Sequence, residues 1–169
     1  MSYHSYLDIS FKDVLFAIVT VSDKYDENTD PVGEYLKKAL PTNSLLIMSH
    51  SVIKKNSNAI LNEFYKLMNT YDINVILFAG GTGVCKDDVT IETIVPLLDK
   101  ELHGFNSAFN ILAFQEIGTE ITMSRAIAGI KDEKVIICLP GPVEAVKLAF
   151  EKIIEPQIRH LVLEAASQS

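Results

Sequence analysis

The chain has 169 residues, 48% of them hydrophobic and 22% charged, and its 15 Lys and Arg against 22 Asp and Glu give a net charge of −7. That length suits one domain with a sizeable core, and the apolar content excludes intrinsic disorder as the main state. The acidic balance argues against broad binding of nucleic acid or of an anionic membrane surface. Two distant cysteines, Cys85 and Cys138, exclude a zinc ribbon and a disulfide-stapled secreted fold.

The sequence shows no membrane or targeting signal. No apolar run reaches the roughly 18–20 residues that a membrane-spanning helix needs. The first residues also lack the layout of a signal peptide. We therefore expect a soluble protein of the cytoplasm.

Strands and helices are predicted to alternate along the chain. Residues 1–13 have no clear period and are expected to form an irregular leader before a single domain over residues 14–169. Apolar, β-branched runs typical of strands buried on both faces predict strands at residues 14–20, 45–48, 75–78 and 135–139. Helical spacing of apolar residues predicts helices at residues 31–40, 56–68, 90–98, 143–154 and 156–166, and a mostly helical stretch over 104–130, broken near Gly118 and ended by Gly129.

This order of elements predicts the fold class. The pair Asp30-Pro31 is a good helix entry, because Asp caps free N–H groups and Pro is tolerated in the first turn. The alternation predicts an α/β single domain of three layers, with a mostly parallel sheet covered by helices on both faces. In such sheets ligands bind beyond the carboxyl ends of the strands, where the strand order reverses. The loops of interest are therefore those that follow the strands: Ser22-Asp23, the region after Met48, residues 80–88 and residues 140–142.

The most informative of these loops is Gly80-Gly81-Thr82-Gly83, between the third strand and a helix. Its glycines allow positive φ and close approach to a ligand, so that backbone N–H groups converge on a phosphate. The spacing matches neither the P-loop nor the GxGxxG pattern, so it indicates no NTPase or dinucleotide site. The alternative is a plain tight turn between a strand and a helix.

Two carboxylates, Asp87 and Asp88, follow that loop. Carboxylates beside a phosphate cradle suit Mg²⁺-assisted phosphoryl or nucleotidyl transfer, because the metal bridges carboxylate and phosphate oxygens. The alternative is that one of them caps the helix beginning near Thr90. Further along, Arg125 is predicted to lie on a helix, where it either pairs with a phosphate or lies along the surface.

On these residues, the chain resembles the MoaB/Mog family of molybdenum cofactor biosynthesis, whose domain also occurs in gephyrin. The resemblance runs from about residue 14 to residue 163 and rests on four motifs in the family's order. They are Gly80 to Gly83 with Asp88-Val89-Thr90, then His103-Gly104-Phe105 through Phe109, then Glu116-Ile117-Gly118 with Ser124-Arg125-Ala126 and Ala128-Gly129-Ile130, and last Leu139-Pro140-Gly141.

The resemblance implies a molybdopterin-binding fold that forms a homotrimer or homohexamer. It also implies binding of molybdopterin, a pterin dithiolene that carries a phosphate, and transfer of AMP from Mg·ATP to that phosphate. Asp88 matches the family's essential aspartate and is assigned to catalysis and to Mg²⁺, with Asp87 as a second metal ligand. The resemblance further implies a ligand pocket formed by Gly80, Gly81, Thr82, Gly83, Ser22, Asp23, Ser124, Arg125, Pro140 and Gly141. Other enzymes of the pathway are expected partners, and nucleic acid and membranes are not.

The chain departs from the family pattern at several positions. Lys54 stands where the family commonly has a catalytic acid after the second strand, and Pro142 stands where it has Ser. Asp87 replaces an Arg, Val32 a Ser and Ile91 a Pro. Two functions follow as alternatives: an adenylyltransferase in which Asp87 supplies the missing charge, or a molybdopterin-binding carrier or scaffold without turnover. The residues alone also allow a domain that binds another phosphorylated small molecule.

Overall fold

A computed structural model describes residues 13–43 and 45–167 of the chain. The predicted irregular leader therefore lies outside the described residues, apart from Asp13. Within the described ranges, no helix is long and apolar enough to span a membrane.

The sheet contains six strands in the described part of the chain. They are β1 (Val14–Val21), β2 (Leu45–Ile53), β3 (Val75–Ala79), β4 (Lys100–Glu101), β5 (Ile127–Lys131) and β6 (Lys134–Leu139). Their order across the sheet is β2-β1-β3-β6-β5-β4. The first four of these neighbours are parallel, whereas β5 is antiparallel to both β6 and β4. The predicted mostly parallel sheet is confirmed.

The helices are α1 (Pro31–Ala39), α2 (Ser57–Met68), α3 (Thr90–Ile94), α4 (His103–Ile117), α5 (Val143–Ala149) and α6 (Glu155–Ala166). Short 3₁₀ turns follow α1, α3 and α4, and a π-helical turn, Phe150–Ile154, joins α5 to α6. Asp30 caps α1 as predicted, because its carboxylate accepts the N–H groups of Val32 and Gly33.

The helices cover both faces of the sheet. Alternate residues of β1 point to opposite sides, so that Phe16 and Ile18 pack with α1, α4, α5 and α6, while Ala17 and Val19 pack with α2 and α3. All four of these side chains are buried. Burial on both faces is the reason that the strand sequence is continuously apolar. The predicted three-layer α/β domain is confirmed.

The prediction of a mostly helical stretch over residues 104–130 is wrong in its second half. The helix does break near Gly118, which has a φ of 63°, but after a 3₁₀ turn the chain is extended and forms β5. Gly129 is a strand glycine and ends no helix: a Cβ on it would lie 2.6 Å from the carbonyl oxygen of Lys100 in β4. Glycine is favoured where two backbones approach this closely. The hairpin from β5 to β6 turns through Asp132 and Glu133, both at positive φ.

Two predicted boundaries are also wrong. The second strand extends to Ile53 instead of ending at Met48, so Lys54 and Lys55 follow directly at its carboxyl end. The helix predicted over residues 90–98 is α3 alone, because the backbone changes to a 3₁₀ turn at Val95–Leu97. Pro96 lies in that turn and cannot donate to an α-helical hydrogen bond.

Candidate functional site

The strand order reverses between β1 and β3. The chain leaves β1 for β2 on one side of it and returns to β3 on the other, and all three strands are parallel. Crevices of this kind at the carboxyl edge of a sheet are the usual ligand sites of α/β folds. The loops that leave this edge are tied together, since the N–H of Ser22 donates to Ile53 and the N–H of Gly80 donates to Leu139.

The glycine loop, Gly80 to Gly83, lies at this edge with a fixed backbone. Gly80 and Gly81 have φ values of 108° and 64°, and a Cβ on Gly80 would overlap the carbonyl oxygen of Val21. The hydroxyl of Thr90 donates to the Gly80 carbonyl at 2.8 Å, and the Thr90 N–H donates to Gly81 at 2.9 Å. Tight turning and close approach to β1 both require glycine here.

The same loop leaves donors for a ligand. Among the described residues, no acceptor receives the backbone N–H of Gly81, Thr82 or Gly83. Successive N–H groups in such a turn form an anion-binding concavity. The loop therefore has the chemistry expected of a phosphate cradle, in addition to the tight turn.

Arg125 donates hydrogen bonds to two carbonyl groups of the glycine loop. Its Nε donates to the carbonyl of Thr82 at 3.0 Å and its Nη2 to that of Gly83 at 2.9 Å, while Nη1 pairs with Glu92. The hydrogen bond from Arg125 holds the pKa of Glu92 below its usual value. The predicted helix at this position is wrong, because Ser124 has an extended backbone that leads into β5. All three nitrogens of the guanidinium contact the protein, and a phosphate contact of Arg125 stays a prediction.

Asp88 lies beside the glycine loop, and both of its carboxylate oxygens have partners. Oδ2 accepts the N–H of Cys85 at 3.1 Å, and Oδ1 lies 2.7 Å from the ammonium of Lys55. A Cβ on Gly83 would lie 2.6 Å from Oδ2, so glycine is needed for the carboxylate to lie this close. Burial alone would raise the pKa of Asp88, but the Lys55 ammonium and the Cys85 N–H outweigh it, and the pKa is lowered. Asp88 makes no side-chain cap to α3, which excludes the capping alternative for it.

Lys55 joins three carboxylates of the site. Its ammonium lies 3.3 Å from Asp87 Oδ2 in addition to its contact with Asp88. Its backbone N–H donates to Asp23 Oδ1 at 3.3 Å. The hydrogen bond that the Lys55 ammonium donates to Asp88 raises the pKa of Lys55. Ser22, beside Asp23, turns the loop after β1 by accepting the N–H groups of Lys24 and Tyr25 on its hydroxyl.

Sequence reasoning identified Asp88 and the glycine loop but missed Lys55. In the sequence, Lys54 is the departure from the family pattern, and no role is predicted for Lys55. The signal was present: a basic residue follows a strand of a parallel sheet, at the edge where the predicted site lies. The contact between Lys55 and Asp88 depends on the extension of β2 to Ile53, which places Lys55 at this edge.

Asp87 and Asp88 do not form a complete protein ligand set for a resident Mg²⁺. In residues 13–43 and 45–167, no group of three or more His, Cys, Asp or Glu side chains converges as metal ligands. Mg²⁺ needs near-octahedral oxygen coordination. Here the carboxylates of Asp87 and Asp88 already face a cation, the ammonium of Lys55.

The remaining predicted residues lie on the other side of the glycine loop. A Cβ on Gly141 would lie 3.5 Å from Gly80 Cα, so the Pro140-Gly141 turn packs against the loop. Ser124 and Pro140 line a groove of about 780 Å³ between α4 and α5, whose walls include Phe109 and Leu148. The site therefore has a polar part at Lys55 and Asp88 and an adjoining, mostly apolar groove.

Comparisons with known proteins agree with this architecture. Residues 17–160 match the model of a family described as a probable molybdopterin binding domain. The chain is 38% identical over 156 residues to molybdenum cofactor biosynthesis protein B of Staphylococcus aureus strain COL, covering 90% of this chain and 92% of that one. A crystal structure of molybdenum cofactor biosynthesis protein B matches with a TM-score of 0.89 and 37% identity, over 93% of this chain and 98% of that one. The tungsten cofactor synthesizing protein MoaB from Pyrococcus furiosus matches with a TM-score of 0.84 and 30% identity, over 94% of this chain and 100% of that one.

Proposed function

The chain belongs to the family of molybdopterin-binding domains that act in molybdenum cofactor biosynthesis, and we propose that it transfers AMP from Mg·ATP to the phosphate of molybdopterin. A phosphate oxygen of molybdopterin attacks the α-phosphorus of ATP, a new P–O bond forms, and the bond to pyrophosphate breaks. Pyrophosphate leaves, and the product carries AMP on the pterin phosphate. Mg²⁺ enters with the nucleotide as part of the substrate.

The observation that carries this proposal is the placement of Asp88 against a loop with free N–H donors. The donors of Gly81 to Gly83 suit the anionic oxygens of a phosphate, and preorganised donors stabilise charge that develops in phosphoryl transfer. The Lys55 ammonium, 2.7 Å from Asp88, adds a positive charge at the same edge. The adjoining apolar groove, with Ser124 and Pro140 in its wall, has the size and character of a site for a flat organic ring.

A second candidate is a carrier that binds molybdopterin without turnover. Lys55 favours it, because the ion pair engages the carboxylate that the family's reaction uses. Lys54 also replaces the family's catalytic acid. In this case the glycine loop and the groove still bind molybdopterin, but no AMP is transferred.

Incubation of the purified protein with ATP, Mg²⁺ and molybdopterin distinguishes the two candidates. We expect adenylylated molybdopterin and pyrophosphate, detected by mass spectrometry and a coupled phosphate assay, with turnover reduced at least about a hundredfold by Asp88→Asn. Asp72→Asn, in the exposed turn before β3 at the opposite edge of the sheet, is the matched acid-to-amide control and should retain turnover. Binding of molybdopterin with no product would overturn the transferase proposal in favour of the carrier.

We also propose that the protein is a homo-oligomer, a trimer or a hexamer. Ile111, Phe114 and Ile117 of α4 and Met123 after it are 49–62% exposed, which is unusual for large apolar side chains on consecutive turns. Light scattering of the wild type at micromolar concentration should give three or six times the chain mass. Phe114→Glu should lower that mass, and a monomeric wild type would contradict the proposal.

A further inference from the structure

The backbone of Lys55 is fixed by hydrogen bonds on both sides, which defines the position from which its side chain extends. It lies two residues after the end of β2, and that end is fixed by the hydrogen bond from Ser22 to Ile53. The next residue, Asn56, caps α2 through its side chain. Between these two anchors, the N–H of Lys55 donates to Asp23. Such anchoring fixes the backbone from which the side chain starts, and the ion pairs of the ammonium offset the rotamer entropy that the side chain loses.

The ammonium contacts both carboxylates from a partly buried position. The side chains of Lys55 and Asp88 are 23% and 12% exposed, while that of Asp87 is 62% exposed. Distances of 2.7 Å to Asp88 and 3.3 Å to Asp87 place a single charge between the two. A divalent cation that used these oxygens would have to displace the ammonium or accept repulsion from it.

The neighbouring Lys54 does not share this arrangement. Within the described part of the chain, its ammonium makes no ion pair, and its carbonyl accepts the N–H of Asn56. The two lysines are adjacent and identical in charge, so they form a natural pair for comparison. A general effect of positive charge on metal binding would act through both, whereas a specific effect acts through Lys55 alone.

We propose that Lys55 is a built-in cation at Asp87 and Asp88, which occupies their carboxylates and excludes a resident divalent ion from them. Lys55 is thus a positioning residue: it acts on the site by holding Asp88 toward the glycine loop. Mg²⁺ then enters the site only on the nucleotide. This inference deepens the proposed function and rests on it for the role of the site, but the geometry and the test involve no nucleotide and no molybdopterin.

The test is binding of Mn²⁺ alone, followed by electron paramagnetic resonance, to the full chain and its variants. Lys55→Met removes the charge and keeps most of the length of the side chain, and we expect it to bind Mn²⁺ at least about tenfold more tightly than the wild type. The double variant Lys55→Met with Asp88→Asn should lose this increase in Mn²⁺ affinity. Lys55→Arg should behave as the wild type does, because the charge is kept.

Lys54→Met is the matched control and should leave Mn²⁺ affinity unchanged. Equal affinity of the wild type and Lys55→Met would overturn the inference, as would an equal gain in Lys54→Met. Circular dichroism establishes that each variant is folded, and Lys55→Gln serves the same test if Lys55→Met does not fold. If the Mn²⁺ measurements contradict this inference, the proposal of AMP transfer still stands. If no AMP is transferred, the Mn²⁺ measurements still decide the role of Lys55.

Discussion

Two carboxylates of this protein, Asp30 and Asp88, lie in similar settings and have different partners. Each follows a loop that leaves the carboxyl edge of the sheet, and each has a glycine so close that a Cβ would lie 2.6 Å from its Oδ2, Gly33 for Asp30 and Gly83 for Asp88. Asp30 is 3% exposed, and its partners are fixed. The main partner of Asp88 is the ammonium at the end of the Lys55 side chain.

The partners of Asp30 are short side chains and backbone groups. Its Oδ2 accepts the hydroxyl of Thr20 at 2.6 Å and lies 2.7 Å from Nε2 of His50, which is also buried. The N–H groups of Val32 and Gly33 complete the set at 3.0 Å each. These contacts join β1, β2 and the start of α1, so this carboxylate is part of the framework.

Asp88 has one backbone donor, the N–H of Cys85, and one side-chain ion-pair partner, Lys55. Lys55 reaches Asp88 through a four-carbon stem, whereas the backbone N–H groups and the imidazole that contact Asp30 are held by the framework of the fold. The comparison teaches that a buried carboxylate whose partners are all part of the framework serves stability. Asp88, at the ligand edge, is paired instead with a side-chain ammonium, so its main contact belongs to the candidate site.

The largest difference is expected when each carboxylate is removed. Asp30→Ala removes the cap of α1 and leaves Thr20 and His50 buried without their acceptor, so we expect a loss of about 3 kcal/mol in the free energy of unfolding. Asp88→Ala should cost less than about 1 kcal/mol, because its main partner can reach solvent. Urea denaturation of both variants measures this, and equal losses would remove the distinction between the two sites.

Gly33→Ala tests how tightly the buried network is packed. A Cβ there would overlap Nε2 of His50 and approach Asp30, and we expect a loss of about 2 kcal/mol. Gly104 also lies in the first turn of a helix, but a Cβ on it would meet nothing within 4 Å. Gly104→Ala should therefore be neutral or stabilising by about 0.5 kcal/mol. Thermal unfolding of the two variants measures this difference. A similar decrease of the melting temperature in both would refute the packing argument.

Thr20→Val removes a single donor from Asp30 and keeps the shape of the side chain. The remaining donors still satisfy most of the carboxylate, so the expected loss is about 1 kcal/mol. Thr70 is exposed, and its hydroxyl donates to the carbonyl of Lys66. Thr70→Val is the matched control and should change stability by less than about 0.5 kcal/mol. An unchanged stability in Thr20→Val would show that its hydroxyl contributes nothing to the network.

The smallest effect on stability is expected from Lys55→Met. Because the pKa of Asp88 is lowered below its ordinary value of 3.8, its ionised form stabilises the fold at pH values above 3.8, and this stability is lost as the pH falls through the lowered pKa. Lys55→Met should raise the pKa of Asp88, which NMR titration of the carboxyl carbon measures. The difference in stability from the wild type should be below about 1 kcal/mol at pH 7 and smaller still at pH 3. An unchanged pKa of Asp88 would show that the ion pair is not formed in solution.

Much of the fold and part of the site were predictable from local sequence. Continuous apolar runs identified four parallel strands, and the glycine loop with Asp88 was placed at the correct edge. The stretch containing Gly129 was misread, because a glycine that ends a helix and one that lets two strands approach look the same in sequence. The two-residue strand β4 is too short to carry any period.

What the sequence by itself determined is the alternation of elements, the position of the glycine loop and the family, because each depends on residues that are neighbours along the chain. Only the tertiary structure decided what Lys55 and Arg125 contact. Lys55 meets Asp88 because the strand order reverses at β1 and brings the ends of β2 and β3 to the same edge. Arg125 reaches Thr82 because the chain is extended where a helix was predicted. Partners this distant in sequence are chosen by the order of strands in the sheet, which no local pattern encodes.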